Sequence, residues 1–136
     1  MLIDALAHLT DPRITSLGPI LSRARDCGVK AIISAGTNPL CPSERAPIES
    51  NNPLVKRAFG LHPMHVSEGS LSEQLDALQL LLERDDAVAI GELGLDRRSK
   101  MPPLEAQRAA FRAQLDLSRQ GSWPIILHSV AAVGLT

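Results

Sequence analysis

Four side chains in this sequence could hold a metal ion or transfer a proton. His8, His62 and His128 stand at or just after the ends of short apolar segments, and Glu92 lies within one. Imidazole nitrogens and a carboxylate form a donor set that suits Zn²⁺, Mn²⁺ or Mg²⁺. A single histidine in such a place is more often an ordinary hydrogen-bonded residue, so the chemistry depends on whether these residues meet.

Glu92 is the hardest of the four to explain as ordinary structure. It lies between Gly91 and Gly94 in an apolar segment that spans residues 87–96. Burial of a carboxylate is costly unless a cation or hydrogen-bond donors compensate for the lost water. This setting indicates a functional carboxylate.

The segments that must position these residues alternate between strand patterns and longer amphipathic helix patterns. Such alternation predicts βαβ units and a parallel sheet. Residues 37–52 form a polar loop with one helical turn predicted around residues 43–48, and residues 70–73 have the S-x-x-E spacing of a capping box. The predicted strands are residues 1–4, 29–36, 55–60, 87–96 and 124–128.

Five strands fit either an open doubly wound sheet or the first five strands of a (β/α)8 barrel, which usually needs about 250 residues. In both folds the carboxyl ends of the strands open onto one face, where active sites collect. Glu92 shares a side of its strand with Ile90, and His128 shares one with Ile126. We therefore expect Glu92 and His128 on adjacent strands, at the same end, with both side chains inward.

Composition indicates one soluble domain over residues 1–136. Hydrophobic residues make up 44% of the chain, and two Phe, one Trp and no Tyr leave a largely aliphatic core. The net charge of -1 gives no electrostatic footprint for nucleic acid or an anionic membrane. Cys27 and Cys41 are far apart and are expected to be reduced thiols. With no signal peptide and no long apolar run, we expect a cytoplasmic protein.

Five short motifs resemble those of TatD-like nucleases, a branch of the metal-dependent hydrolases. They occur in family order, and G-E-L-G-L-D together with P-I-I-L-H-S is specific. The matching segments are residues 3–9 (I-D-A-L-A-H-L), 60–63 (G-L-H-P), 91–96 (G-E-L-G-L-D), 107–115 (Q-x-x-x-F-x-x-Q-L) and 124–129 (P-I-I-L-H-S).

The resemblance implies a hydrolase of nucleic-acid phosphodiester bonds, of the DNase or exonuclease type. The fold would be a partial TIM-like (β/α) barrel of about five parallel strands with flanking helices. Two divalent metal ions (Zn, Mn or Mg) would lie at its mouth, where Glu92 bridges both, His8 binds one and His128 binds the other. His62 would sit beside the reacting phosphate, so that Glu92 and His62 are the catalytic residues.

The sequence departs from the family pattern at several functional positions. Leu6 replaces the first histidine of the family's H-x-H and offers no lone pair. Val130 replaces an arginine that would contact phosphate, and Arg97 replaces an aromatic residue. A later histidine and aspartate of the family, both metal ligands, would lie beyond residue 136. We therefore expect an incomplete metal site and weak or absent activity of this chain alone.

Three hypotheses remain open at this point. The first is an enzyme whose missing half comes from another chain. The second is a non-catalytic truncated relic or binding module. The third is an amidohydrolase-type enzyme for C–N or ester bonds, against which the motif at residues 91–96 argues. DNA or another phosphoester is the expected substrate, no membrane partner is expected, and free strand edges favour self-association or a complementing carboxyl-terminal half.

Overall fold

Five parallel strands form one sheet, in which each strand lies beside the next one along the chain. The computed structural model describes residues 1–48, 53–66 and 69–134. A doubly wound sheet reverses its strand order at a switch point, whereas a barrel wall adds strands in sequence. The order β1-β2-β3-β4-β5 is that of a barrel wall, so the predicted partial (β/α) barrel is confirmed. The strands are β1 (Leu2–Ala7), β2 (Val29–Ala35), β3 (Leu54–Phe59), β4 (Ala87–Asp96) and β5 (Ile125–Val130).

Helices connect the strands. Ser70 begins α3 with a capping box, in which its hydroxyl accepts from the N–H of Glu73 and the Glu73 carboxylate accepts from the N–H of Ser70. A short 3-10 turn, Pro63–His65, follows β3. The α-helices are α1 (Leu17–Asp26), α2 (Pro42–Arg45), α3 (Leu71–Leu82) and α4 (Leu104–Gly121). In the described parts of the chain, none of them is long and apolar enough to cross a membrane.

Three boundaries differ from the sequence prediction by more than one residue. Strand β1 continues to Ala7 because β2 supplies partners beyond the polar Asp4, up to the pair Ala7 and Ser34. Strand β5 likewise continues to Val130, which pairs with Asp96 of β4. The helical turn of the loop is Pro42–Arg45, and residues 49–52 of that loop lie outside the described residues. Strand pairing, which local sequence does not encode, decides these ends.

The main apolar core lies around β4, with α3 and α4 against it. Ile90, Leu93 and Leu95 are completely buried in β4, and Leu78 of α3 and Phe111 of α4 belong to the same cluster. Burying one such side chain contributes about 1.5–3 kcal/mol. Strand β4 is therefore a rigid support for the carboxylate that it carries.

Candidate active site

The carboxyl ends of four strands bring together the four residues that the sequence singled out. His8 follows β1, His62 comes three residues after β3, Glu92 lies in β4 and His128 lies in β5. Strands β4 and β5 are neighbours, and the Nδ1 atom of His128 lies 3.5 Å from Oε1 of Glu92. The expected meeting of Glu92 and His128 is therefore found.

Glu92 presents its two carboxylate oxygens to two different histidines. Oε2 lies 3.1 Å from Nε2 of His8, and Oε1 faces Nδ1 of His128. Glu92 is only 8% exposed. A buried carboxylate in this orientation can contact two cationic centres, one through each oxygen.

His8 is oriented by the main chain of β2. Its Nδ1 atom lies 3.0 Å from the carbonyl oxygen of Ala35. Since a carbonyl only accepts, Nδ1 carries a proton, which leaves Nε2 as the ring nitrogen that faces Glu92 and, in the neutral tautomer, carries a lone pair. Two electron-pair donors then face each other, an arrangement that a cation between them stabilises. This donor set fits a divalent metal ion.

A directed chain of hydrogen bonds links His62, His128 and Asp96. The N–H of Met64 donates to Nδ1 of His62 at 3.1 Å, which places the proton of the neutral ring on Nε2. Nε2 of His62 then donates to Nδ1 of His128 at 3.0 Å, and Nε2 of His128 donates to Asp96 at 3.1 Å. The lone pair of His128 at Nδ1 consequently faces His62 and Glu92. Ligand atoms of His62, Glu92 and His128 lie within 4.8 Å of one another.

Burial keeps His62 neutral. Loss of water around the ring, with a smaller contribution from His128, lowers the pKa of His62 to about 4. The ring is therefore a neutral donor at physiological pH, and it adds no positive charge that would repel a metal ion.

Asp96 supports His128 from behind and was missed by the sequence analysis as a site residue. Its side chain is completely buried. The hydrogen bond from the Arg98 guanidinium holds the pKa of Asp96 well below its usual range. A carboxylate behind a histidine fixes the ring orientation and makes its other nitrogen a better ligand. The available signal was an acidic residue at the end of an apolar strand.

Gly94 allows β5 to come close enough for His128 to reach the site. It pairs with His128 in the β4–β5 register. Its φ of 149° is one that residues with side chains rarely adopt, and a Cβ would overlap the carbonyl oxygen of His128. The second glycine of G-E-L-G-L-D is therefore required by close approach of two strands.

Two glutamines of α4 hold the main chain beside the site, and the sequence analysis gave them no role. Gln107 accepts from the N–H of Asp96 at 2.8 Å and donates to its carbonyl at 2.9 Å. Gln114 does the same at Leu61, next to His62, at 2.8 and 3.1 Å. They are seven residues apart, so both lie on one face of the helix. The two glutamines of the Q-x-x-x-F-x-x-Q motif therefore fix the main chain at Asp96 and at Leu61.

Two of the positions that depart from the family pattern, residues 6 and 130, carry hydrocarbon side chains that offer no donor to a metal ion or a phosphate. Leu6 is an aliphatic side chain that is 46% exposed at the end of β1. Val130 is half-buried at the end of β5, and Arg97 is exposed. The nitrogen donor and the guanidinium that the family pattern has at residues 6 and 130 are therefore replaced by hydrocarbon.

An open cavity of about 470 Å³ lies over the cluster. His8, His62 and Glu92 line its floor, and the loops after β1 and β2 supply its walls. Within it, Asp11 is paired with Arg13, whose guanidinium holds the pKa of that carboxyl well below its usual range. The side chain of His8 is 43% exposed, so the site is accessible from solvent.

Known proteins similar to this chain carry related names. The 3'-5' ssDNA/RNA exonuclease TatD of Pantoea ananatis is 36% identical over 129 residues, which make up 93% of this chain and 49% of that protein. The uncharacterized metal-dependent hydrolase YabD of Bacillus subtilis is 29% identical over 130 residues, or 95% of this chain and 51% of that protein.

Two solved structures share the fold. One is YjjV, a TatD homolog from Escherichia coli K12, with a TM-score of 0.84 and 32% identity over 96% of this chain and 51% of that one. The other is a TatD family hydrolase from Entamoeba histolytica, with a TM-score of 0.84 and 26% identity over 98% of this chain and 51% of that one. This chain spans about half the length of the relatives that it matches.

The profile of the family described as TatD related DNase matches residues 3–135. That range contains all five motifs on which the resemblance was based, and the resemblance is confirmed. The chain belongs to the TatD-related DNase family.

Proposed function

We propose that this chain contributes a divalent-metal site for hydrolysis of nucleic-acid phosphodiester bonds, with His8, Glu92 and His128 as ligands. The observation that carries the proposal is the orientation of Glu92, which directs one oxygen at each of two histidines. Family membership and the names of the relatives, which include a 3'-5' ssDNA/RNA exonuclease and a metal-dependent hydrolase, support the reaction class.

In this proposal Glu92 would hold both ions, with His8 as a further ligand for one and His128 as a further ligand for the other. When bound, divalent ions supply Lewis-acid stabilisation of the charge that develops on phosphate oxygens. Asp96 keeps the proton of His128 on Nε2, so that Nδ1 stays available as a ligand. The same Nδ1 now accepts the hydrogen bond from His62, so His62 would have to turn away for this nitrogen to serve as a ligand.

His62 is proposed to contact the phosphate. Its Nε2–H is held in the cluster by the Met64 N–H on the opposite ring nitrogen. Released from His128, the same N–H can donate to a phosphate oxygen, and the low pKa of His62 keeps the ring neutral. Single-stranded DNA or RNA is the substrate class proposed from the relatives.

We propose that metal binding and turnover of this chain are weak. Leu6 removes one nitrogen ligand, and Val130 removes a phosphate contact. Fewer ligands hold a divalent ion less tightly, because each supplies part of the binding free energy. The same two departures favour a second candidate, a binding module that retains metal or nucleic acid without turnover.

Calorimetric titration of chelator-treated chain with Zn²⁺ and Mn²⁺ tests the proposal. We expect measurable binding that Glu92→Gln abolishes, because the variant cannot neutralise two cationic centres. Glu105→Gln is the matched control, since Glu105 is an exposed residue of α4 paired only locally with Arg108. Equal metal affinity of Glu92→Gln and the unchanged chain would contradict the site assignment.

Release of mononucleotides from single-stranded DNA separates the two candidate functions. A slow, divalent-dependent release that Glu92→Gln abolishes supports the hydrolase. Metal binding with release no faster than in the Glu92→Gln variant supports the binding module. Turnover that persists in Glu92→Gln contradicts both assignments of this residue.

A further inference from the structure

Glu44 is a buried acid outside the cluster of proposed metal ligands. It lies in α2 and is only 7% exposed. Its carboxylate accepts from the N–H of Thr37 at 2.8 and 2.9 Å, from the Thr37 hydroxyl at 2.8 Å and from the N–H of Asn38 at 3.0 Å. These donors compensate for its burial, since charge-assisted hydrogen bonds are the strong ones.

The main-chain segment that Glu44 holds is the one that orients three of the four site residues. Its consecutive carbonyls belong to residues 35, 36 and 37. The carbonyl of residue 35 faces Nδ1 of His8 at 3.0 Å, that of residue 36 accepts from the N–H of Glu92 at 3.1 Å, and that of residue 37 accepts from the N–H of His62 at 2.8 Å. The N–H groups that follow point the other way, to Glu44.

Helix α2 is itself fixed from β3. Arg57 is completely buried, and its guanidinium donates to the carbonyl of Glu44 at 3.0 Å and to that of Ala46 at 3.2 Å. A helix of four residues has little stability of its own. The hydrogen bonds from Arg57 therefore fix the main-chain position of Glu44.

Gly36 shows how closely the carboxylate fits against the segment. A Cβ at this position would lie 2.5 Å from Oε2 of Glu44. Any side chain at residue 36 would displace the carboxylate from Thr37 and Asn38. The absence of a side chain at Gly36 therefore allows the carboxylate to approach this segment.

We infer that Glu44 is a positioning residue of the site, which acts by fixing residues 35–37 and through them His8, Glu92 and His62. It lines the cavity over the site but is not one of the proposed metal ligands, because its carboxylate oxygens accept from Thr37 and Asn38. Without the carboxylate, the N–H groups of Thr37 and Asn38 lose their acceptor and the segment relaxes. The three carbonyls then no longer hold the site residues in register. The effect on metal affinity rests on the proposed function, whereas the effect on the main chain does not.

The first test compares Glu44→Ala with the unchanged 136-residue chain in two measurements. Amide shifts from ¹H–¹⁵N NMR of the metal-free chain report the main chain, and we expect changes at Glu92 and His62 as well as at residues 37 and 38. Calorimetry with Zn²⁺ should show about tenfold weaker binding, as is usual when a residue that orients metal ligands is lost. Leu82→Ala is the control, because Leu82 is a buried core residue at the end of α3, which leads to the amino end of β4, away from the carboxyl ends of the strands that carry the site. This variant should destabilise the fold without shifting the Glu92 and His62 amides and without weakening Zn²⁺ binding.

Each outcome decides a separate question. If the amide shifts of Glu92 and His62 stay unchanged in Glu44→Ala, the inference is wrong. If the amide shifts move but Zn²⁺ affinity stays within twofold, the claim that Glu44 positions the metal ligands is wrong. If Glu92→Gln leaves Zn²⁺ binding intact, the proposed function fails, and the NMR measurement still judges Glu44.

A milder pair of variants covers the case in which Glu44→Ala does not fold. Thr37→Val removes only the hydroxyl that donates to Glu44, and Thr37→Ser keeps a hydroxyl in place. We expect Thr37→Val to shift the Glu92 and His62 amides and weaken Zn²⁺ binding, and Thr37→Ser to recover most of both losses. Equal behaviour of the two variants would overturn the inference.

Discussion

Each carboxylate oxygen of Glu92 faces a histidine. The aliphatic side chain of Leu6, two residues before His8, adds no further ligand to this arrangement. His8 reaches Glu92 from the end of β1, two residues after Leu6. Residue 6 occupies the position of the first histidine in the family's H-x-H, so we expect a longer polar group there to face the same mouth as His8. In the proposed site, we expect the hydrocarbon at this position to limit metal affinity.

We predict that Leu6→His raises Zn²⁺ affinity by about tenfold, or about 1.4 kcal/mol, because it adds a nitrogen ligand. Turnover should rise less, since Val130 still offers no phosphate contact. Calorimetry measures the affinity, with Leu6→Ala as the control that removes the leucine without adding a donor. The same affinity in both variants would show that residue 6 does not face the metal.

His62 provides a second residue-scale prediction, made for the chain in excess chelator. Its folded pKa of about 4 lies below the unfolded value of about 6.5, so the unfolded state takes up the proton first as the pH falls. The contribution of neutral His62 to stability is complete above pH 6.5 and is lost as the pH falls to about 4. The loss amounts to about 3 kcal/mol.

Two measurements check this pH dependence. NMR of the ring should show His62 titrating near pH 4, and urea unfolding at pH 7 and pH 5 should show a smaller loss of stability in His62→Gln than in the unchanged chain. Titration of His62 near 6.5 would mean that burial does not protect the ring.

At the scale of elements, the approach of β4 and β5 decides whether the site forms. Gly94→Ala places a methyl group against the carbonyl of His128 and forces a strained φ. We predict a loss of roughly 2–5 kcal/mol in unfolding free energy, from overpacking together with backbone strain. Zn²⁺ affinity should fall as well, because β5 must move away and takes His128 with it.

Chemical denaturation and calorimetry measure both effects. Gly18→Ala is the control, since a Cβ at this position of α1 meets nothing within 4 Å. That substitution should leave stability unchanged or raise it by about 0.5–1 kcal/mol. A Gly94→Ala variant as stable as Gly18→Ala would refute the argument from strand spacing.

At the scale of the whole molecule, the sheet exposes apolar side chains on its two outer strands. Within the described residues, β1 pairs only with β2 and β5 only with β4. Leu2 is 55% exposed on β1, and Leu127 is 50% exposed on β5. Unpaired, apolar strand edges promote association.

We predict that a polypeptide of these 136 residues self-associates, by edge pairing or aggregation, unless a complementing carboxyl-terminal half covers the edges. A closed ring from two copies is disfavoured, because strand number, tilt and shear must agree for closure. Sedimentation over a range of concentrations, together with a thermal melt, measures this. A monodisperse monomer with a cooperative melt would instead establish residues 1–136 as an autonomous domain.

The sequence by itself determined the alternation of strands and helices and the family of this protein, and it singled out the residues proposed for the site. Residues 87–96 were predicted as β4 with their observed bounds, and the Ser70 capping box was recognised from spacing alone. Hydrophobic period and capping are properties of neighbouring residues, so one sequence suffices to identify them. His8, His62, Glu92 and His128 stood out because polar groups are conspicuous at the ends of apolar strands.

Only the tertiary structure decided the ends of β1 and β5 and the residues that orient the site. The strand pattern left the barrel order open, and the family resemblance predicted it. Gln114 clamps Leu61 across 53 residues of chain, and Asp96 meets His128 across 32. Glu44 holds Thr37 through a loop whose composition indicates only that it is polar. Each of these contacts joins separate elements, and its geometry depends on how the elements pack, which no local pattern encodes.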